Sequence, residues 1–290
     1  MSSQVKLLRE KPVFPQVNTP EELAQLLRSG KRGFMNVQED VYHSGPGLNQ
    51  SMLKGYAKTP AHAKMMMDGM KFSSDAMRLG TACHASVFEP SKFNDEYATG
   101  PECDRRTKEG KSTWSTFIDA NPGRKLLSLD DAATIRGIVS SLKTHPYFEY
   151  ISGGHGFPEL SYYWESLGNL CKGRFDWITS TDVPLDEGQE RIIFDLKTTE
   201  YGVSKEDCER TIKGLGYHIQ AAWYLTGVPD ANFVFIFAEK KPPYAVTFYQ
   251  VGPQMREKGH EEVERLLGKH LECVAKRSWP SHDGSVIVGD

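Results

Sequence analysis

The chain has 290 residues, of which 39% are hydrophobic and 25% are charged, a composition typical of a folded globular protein and not of a disordered one. Its 35 Lys and Arg residues nearly balance 38 Asp and Glu residues, which gives a formal net charge of −3. This balance excludes a uniformly basic nucleic-acid coat protein and a polybasic membrane binder. Any contact with nucleic acid must therefore depend on locally concentrated positive charge.

The cysteines and the N-terminal residues indicate the cellular compartment of the protein. Five scattered cysteines without a Cys-x-x-Cys pair favour reduced thiols over a disulfide framework or a ready-made zinc site. The N-terminus lacks the apolar run of a signal peptide, and no stretch approaches the ~18 apolar residues of a membrane span. We therefore expect a soluble, cytoplasmic protein that does not associate with membranes.

The first half of the chain is predicted to be mainly helical. Residues 1–44 are interpreted as an N-terminal lead-in segment, within which Thr19 caps a short helix over 20–28. Further helices are predicted over residues 48–54, 61–70, 76–88 and 129–143.

From residue 158 the pattern changes to strands. Two runs flank a turn at 167–169, as in a β-hairpin, and an acidic loop at 182–190 leads to a third strand. The predicted elements are strands over 159–165, 170–179, 191–198, 231–239 and 244–251, and helices over 213–226 and 252–276. Helices followed by this β-β-β-α-β order predict an α/β fold with a mixed central β-sheet flanked by helices. The main domain would span residues 45–276, followed by a C-terminal tail over 277–290.

The third strand carries two charged residues in an apolar run. Since strand side chains alternate between faces, Asp195 and Lys197 point to one face and Phe194 and Leu196 to the other. A carboxylate and an ammonium there are costly to bury without partners. With Asp176 on the neighbouring strand, two carboxylates suit Mg²⁺, which prefers oxygen ligands, and Lys197 could orient water and stabilise charge on a phosphate. Taken alone, Asp195 and Lys197 are equally compatible with an ion pair at the end of a strand.

The following helix adds a polar pair. Gln220 and Tyr224 are spaced i and i+4, so both project from one helical face. By itself this spacing is also typical of an ordinary half-buried face.

Together these residues resemble a known family. Asp176, Asp195-x-Lys197 and Gln220-xxx-Tyr224, in this order, are similar to the PD-(D/E)XK nuclease superfamily, in the subset that includes RecB-type and lambda-type exonucleases. The stretch 78–84 (RLGTACH) is similar to the upstream helix of RecB-like members, in which the histidine is a metal ligand. The stretches 53–54 with 59–62, 105–111 (RRTKEGK) and 171–176 (CKGRFD) are most similar to RecE-like nucleases. The resemblance implies a restriction-endonuclease-like core with α-β-β-β-α-β order.

The resemblance also implies roles for single residues. His84, Asp176 and Asp195 would be the metal ligands, and Lys197 would be the catalytic lysine. Glu159 would be an acidic residue beside the metal, although a surface glutamate at the start of a strand is equally compatible, and Glu165 remains an alternative ligand. Gln220 and Tyr224 would position the DNA backbone or the attacking water. Without the resemblance, a helical histidine such as His84 is more often a core residue.

Positive charge for binding DNA is expected in two regions. The candidates for phosphate contacts are Arg78, Arg105, Arg106, Lys108, Lys111, Lys172 and Arg174. For the basic run at 104–111 considered alone, a solvated loop is the simpler interpretation.

The implied function is a Mg²⁺-dependent 5′→3′ exodeoxyribonuclease that acts on linear double-stranded DNA and leaves 3′ single strands for recombination. Mn²⁺ would substitute for Mg²⁺. No iron–sulfur cluster is expected, because the cysteines do not form a suitable group of four. The family implies a homo-oligomer, in some members a ring, and a single-strand annealing partner in a phage setting. The alternatives are a structure-specific or single-strand nuclease of the same superfamily, an inactive DNA-binding module of the same fold, and an unrelated α/β protein with an incidental ion pair.

Overall fold

The computed structural model describes residues 12–70, 75–152, 156–179 and 191–282. The acidic loop predicted over 182–190 lies outside these residues, as do the outer ends of the predicted lead-in and tail.

The strands within the described ranges are β1 (Gln16–Val17), β2 (Gly33–Val37), β3 (Tyr97–Thr99), β4 (Lys125–Leu127), β5 (Gly156–Ser166), β6 (Asn169–Thr179), β7 (Arg191–Thr199), β8 (Ala231–Glu239) and β9 (Val246–Gln250). The helices are α1 (Pro20–Arg28), α2 (Glu39–Ser44), α3 (Gln50–Lys58), α4 (Pro60–Met67), α5 (Asp75–Phe88), α6 (Pro90–Glu96), α7 (Lys108–Ala120), α8 (Leu129–Lys143), α9 (Glu149–Ser152), α10 (Lys205–Leu215), α11 (Tyr217–Gly227) and α12 (Pro253–Lys276). No helix among the described residues is long and apolar enough to cross a membrane.

A mixed sheet forms the centre of the fold. Its order over the described residues is β1-β2-β5-β6-β7-β8-β9. The pairs β1–β2 and β7–β8 are parallel, and the other neighbours are antiparallel. One face packs against α3, α10, α11 and α12, and the other against α5 and α8. The predicted fold class, an α/β architecture with a mixed sheet flanked by helices, is confirmed.

The helical segment after β7 differs from the prediction. A single helix is expected over 213–226, but the chain forms α10 and α11, which meet at Gly216. Gly216 has a φ of 64°, and glycine adopts this left-handed conformation without the steric cost of a Cβ. The turn therefore ends α10 and starts α11 immediately, which places Tyr217 at the beginning of the second helix.

Residues 16–44 are part of the same fold and not a separate lead-in. Strand β2 pairs with β5, with Phe34 opposite Tyr162, and the predicted capping of α1 by Thr19 is confirmed. On β6, Lys172 donates to the carbonyls of Tyr42, at 2.6 Å, and Gly45, at 2.7 Å. The side chain of Lys172 thus ties the N-terminal region to the sheet.

This position corrects the prediction that Lys172 contacts DNA. Lys172 is 0% exposed, so its ammonium group cannot reach a phosphate at the surface. Its hydrogen bonds to these two carbonyl groups explain why a lysine can be buried here.

Replacing Lys172 by Met is expected to lower the free energy of unfolding by about 2–4 kcal/mol, because buried carbonyl groups lose their hydrogen-bond donor. Urea unfolding would measure this loss. Lys58→Met is a matched control, since Lys58 is exposed and its replacement should have little effect. A similar small change in both variants would contradict a structural role for Lys172.

Candidate metal centre

The site begins where the pairing between β6 and β7 ends. Over the described residues, this ladder pairs Trp177 with Phe194 and Ile178 with Ile193. Next to this ladder, the carboxylate of Asp176 takes the place of a backbone partner: its Oδ2 accepts a hydrogen bond from the Leu196 N–H at 2.8 Å. The two strands therefore present Asp176 at the point where they stop pairing.

His84 reaches the same point from α5. Its Nε2 lies 2.8 Å from the carbonyl oxygen of Leu196, and because a carbonyl only accepts, Nε2 must carry the hydrogen. The other ring nitrogen, Nδ1, lies 3.1 Å from Asp176 Oδ2. A metal-binding histidine usually donates one ring N–H to a backbone carbonyl or a carboxylate, and this hydrogen bond orients the other nitrogen toward the metal. His84 has this arrangement, with Nδ1 facing the carboxylate of Asp176.

Glu159 faces Asp176 from β5. The neighbouring pairs, Pro158 with Trp177 and Leu160 with Phe175, place Glu159 directly across from Asp176. Its φ is 50°, a left-handed conformation that is uncommon for a residue with a side chain and that often marks functional sites. The Oε2 atom of Glu159 accepts a hydrogen bond from Arg174 Nε at 2.6 Å. The backbone thus departs from regular strand geometry at the acidic residue that faces Asp176 across the two strands.

These three residues form a group of metal-ligand type. One ligand atom from each of His84, Glu159 and Asp176 lies within 4.8 Å of the others. An imidazole nitrogen and two carboxylate oxygens on three different elements, all partly buried, form a donor set that suits a divalent cation such as Mg²⁺ or Mn²⁺.

Asp195 lies beside this group and not within it. It is 1% exposed, its Oδ1 accepts from Gln220 Nε2, and its Oδ2 forms an ion pair with Lys197. Both oxygens of Asp195 therefore already have partners within the protein. The donor set of His84, Glu159 and Asp176 fits a cation by its chemistry, with Asp195 as an adjacent carboxylate.

The ionisable groups of the cluster shift one another's pKa values. Burial acts to lower the pKa of His84, but the Asp176 carboxylate outweighs this effect and raises it to about 9. Burial acts to raise the pKa of Asp176, but His84 and Lys197 keep it below its usual value. Burial and Asp176 raise the pKa of Asp195 to about 6, and burial and Asp176 also raise the pKa of Glu159. Carboxylates this close need a cation to remain ionised together.

Gln220 and Tyr224 hold the strands in place. Gln220 fixes the orientation of Asp195, as described above. Tyr224 is 6% exposed, and its hydroxyl donates to the carbonyl oxygen of Arg174 at 2.9 Å. A direct contact between the Tyr224 hydroxyl and DNA, one of the predicted roles, does not fit this buried position, whereas both residues do support the elements that carry the site.

The predicted phosphate contacts fall into two groups. Arg174 is mostly buried and donates to Glu159 and to the Val37 carbonyl, so it positions an acidic residue instead of offering a free charge. The side chains that lie at the surface are Arg78, Arg105, Arg106, Lys108 and Lys111. Among these, Arg105 lies 4.4 Å from the ring centroid of Trp114, and Arg78 and Arg106 pair with nearby aspartates.

Tyr217 is a site residue that the sequence analysis missed. The ammonium group of Lys197 lies 4.7 Å from the centroid of its ring. The spacing to Gln220 is i and i+3, which places both residues on one face of α11. That spacing is the signal in the sequence, but it has meaning only once Gln220 is known to face Asp195.

Binding of a cation at this cluster should depend on pH. Because the pKa of His84 is raised to about 9, the metal-free histidine is protonated at neutral pH and a cation must displace that proton. The affinity for Mn²⁺ is expected to rise about tenfold per pH unit from about pH 6.5 to about 8.5. Calorimetry in buffers of different ionisation enthalpy would measure the released proton, and an affinity independent of pH would contradict a histidine ligand.

Comparison with known proteins identifies the family and the fold of the chain. The profile of a family described as a PDDEXK-like domain of unknown function (DUF3799) matches residues 49–287. The crystal structure of a candidate exonuclease from Eubacterium rectale aligns with a TM-score of 0.57 at 15% identity, covering 88% of this chain and 96% of that one. The alignment with the crystal structure of SSO0001 covers 66% of this chain and 86% of that chain at 13% identity. Its TM-score of 0.28 is too low to indicate a common fold. Curated proteins give no significant sequence match.

Proposed function

Because this chain belongs to the PDDEXK-like family DUF3799, we propose that it is a deoxyribonuclease that hydrolyses phosphodiester bonds with the help of a divalent cation. The observation that carries the proposal is the convergence of His84, Glu159 and Asp176 within 4.8 Å, next to the Asp195–Lys197 ion pair. The catalytic residues of the proposal are Asp176, Asp195 and Lys197, with Glu159 completing the cation site.

The cation would be held by Nδ1 of His84 and the carboxylates of Glu159 and Asp176. When bound, it would supply positive charge beside the phosphodiester that is cleaved. Its preferred identity in this proposal is Mg²⁺, with Mn²⁺ as a substitute, since carboxylate oxygens dominate the donor set.

The chain's own residues contribute orientation and charge. Burial acts to lower the pKa of Lys197, but Asp195 and Asp176 raise it, so the ammonium group is charged at neutral pH. Held by Asp195 and by the ring of Tyr217, Lys197 would orient water and stabilise charge that develops on the phosphate. Gln220 keeps Asp195 in place through its amide.

For the substrate, we propose the ends of linear double-stranded DNA, cleaved in the 5′→3′ direction to leave 3′ single strands. The resemblance to RecE-like nucleases supports this choice. The exposed basic residues at 105, 106, 108 and 111 are the proposed phosphate contacts outside the metal centre, and their removal should flatten the dependence of DNA affinity on salt.

The same resemblance supports a homo-oligomer, in the form of a ring, and a single-strand annealing protein as partner. We also propose a cytoplasmic location, with which five unpaired cysteines are consistent.

Digestion of labelled DNA tests the function. Linear duplex carrying a 5′ or a 3′ label would be incubated with Mg²⁺, with Mn²⁺ and with a chelator, beside closed-circular DNA. The proposal predicts metal-dependent loss of linear duplex and early release of the 5′ label, with closed circles left intact. Cleavage of closed circles would favour a structure-specific endonuclease, preference for single strands would favour a single-strand nuclease, and binding without cleavage would indicate an inactive module.

A further inference from the structure

A second ammonium group lies close to Lys197. Lys54, on α3, places its Nζ 5.3 Å from the ring centroid of Tyr217, and Lys197 Nζ lies 4.7 Å from the same centroid. Two lysines from distant parts of the chain therefore contact one aromatic ring at the edge of the metal centre. The resulting cation–π contacts favour charged ammonium groups.

The side chain of Lys54 is held by the turn between α10 and α11. Its Nζ lies 3.4 Å from the Leu215 carbonyl oxygen, and its Cδ would be 3.5 Å from a Cβ at Gly216, so its aliphatic stem lies against the turn. The Tyr217 ring in turn packs against Phe235, with a centroid separation of 5.8 Å. Lys54 is thus positioned by packing before any ligand binds.

The charge of Lys54 is not balanced by a carboxylate. Its described contacts are the Leu215 carbonyl and the Tyr217 ring, and it forms no ion pair among the described residues. Burial and the neighbouring Lys197 lower the pKa of Lys54 to about 8. The acid that opposes this effect, Asp195, is already engaged by Lys197 and Gln220. A half-buried cation beside another cation and without a counter-ion is unfavourable on its own and attracts an anion.

The start of α11 adds further donors at the same place. This helix begins at Tyr217, and its N-terminus has no side-chain cap. Backbone N–H groups in an uncapped first turn carry partial positive charge and favour anions. The ring that both lysines contact is that of Tyr217, the first residue of this helix.

We propose that Lys54, together with the first turn of α11, binds a backbone phosphate of the DNA strand that is cleaved at Lys197. The inference rests on the proposed nuclease function and adds a substrate-positioning residue to it. Lys54 fixes the position of the strand, and Lys197 acts at the phosphodiester that reacts.

The dependence of DNA affinity on salt tests this role. Binding of a fluorescent blunt duplex would be measured at a series of KCl concentrations, with Ca²⁺ in place of Mg²⁺ to prevent turnover. Each phosphate contact contributes about 0.9 to the slope of log K against log salt. Lys54→Met should reduce this slope by about that amount, Lys54→Arg should retain it, and Mn²⁺ affinity should be unchanged in both.

Lys58→Met is the matched control, because Lys58 lies one turn further along α3 and is exposed. It should keep the wild-type slope. If Lys54→Met melts far below wild type, Lys54→Gln replaces it, since glutamine keeps a polar end group. The assignment would be overturned if Lys54 and Lys58 variants shared the wild-type slope while the wild type cleaved DNA and Lys197→Ala did not. A wild type that neither binds nor cleaves DNA would instead overturn the nuclease function and this assignment together.

Discussion

Replacing Lys197 by Ala is expected to reduce DNA cleavage by at least about a hundredfold, the usual effect of removing one electrostatic group that acts on a reacting oxygen. Lys197 is not part of the cluster of His84, Glu159 and Asp176, so affinity for Mn²⁺ should remain close to that of the wild type. Cleavage rates at saturating metal and calorimetric titration with Mn²⁺ would separate the two effects.

The folded state should survive this replacement. Asp195 would lose its ion pair, but burial and Asp176 already raise its pKa to about 6, so it can take up a proton. Lys205→Ala is a suitable control because the Lys205 side chain is 75% exposed and lies on the next helix. A Lys197 variant that cleaves DNA at the rate of this control would remove Lys197 from the mechanism.

Replacing Asp176 by Asn is expected to weaken Mn²⁺ binding by more than about a hundredfold, since the cluster loses an anionic ligand and loss of supporting groups alone has effects of 10- to 100-fold. A second consequence concerns His84. Its pKa is raised because the Asp176 carboxylate outweighs burial, so in the variant burial dominates and the pKa should fall. An NMR titration of the metal-free protein would follow this histidine.

Asp230→Asn is the control variant for Asp176→Asn. Asp230 also forms an ion pair, but its partner is Arg191 and the pair lies outside the metal centre. It should change neither Mn²⁺ affinity nor the titration of His84. If the Asp176 variant bound Mn²⁺ as tightly as the Asp230 variant, the proposed ligand set would be untenable.

The elements of the second half could be predicted because their patterns are local. Alternation places Asp195 and Lys197 on one face of β7, and the structure puts Phe194 and Leu196 in the core on the opposite face. The strand over 231–239 is found at the predicted residues, since a short, continuous apolar run is typical of a strand that is buried on both faces. The break at Gly216 was missed because a single glycine is tolerated inside a helical pattern.

The contacts that shape the site join residues that are far apart in the sequence, so no local sequence pattern predicts them. Lys172 and Arg174 look like free basic residues in the sequence, yet each is held by carbonyl groups of the N-terminal region, which is far away along the chain. The left-handed backbone of Glu159 has no glycine to signal it. The ring of Tyr217 became relevant only when the fold brought Lys54 and Lys197 to it.

The central claim is that His84, Glu159 and Asp176 bind one divalent cation, and crystals of the wild-type protein soaked in Mn²⁺ test it most directly. The account predicts an anomalous difference peak within about 2.0–2.3 Å of His84 Nδ1 and of one oxygen from each carboxylate, the distances usual for such ligands. An anomalous peak elsewhere in the molecule, or none at these three residues at millimolar Mn²⁺, would contradict it.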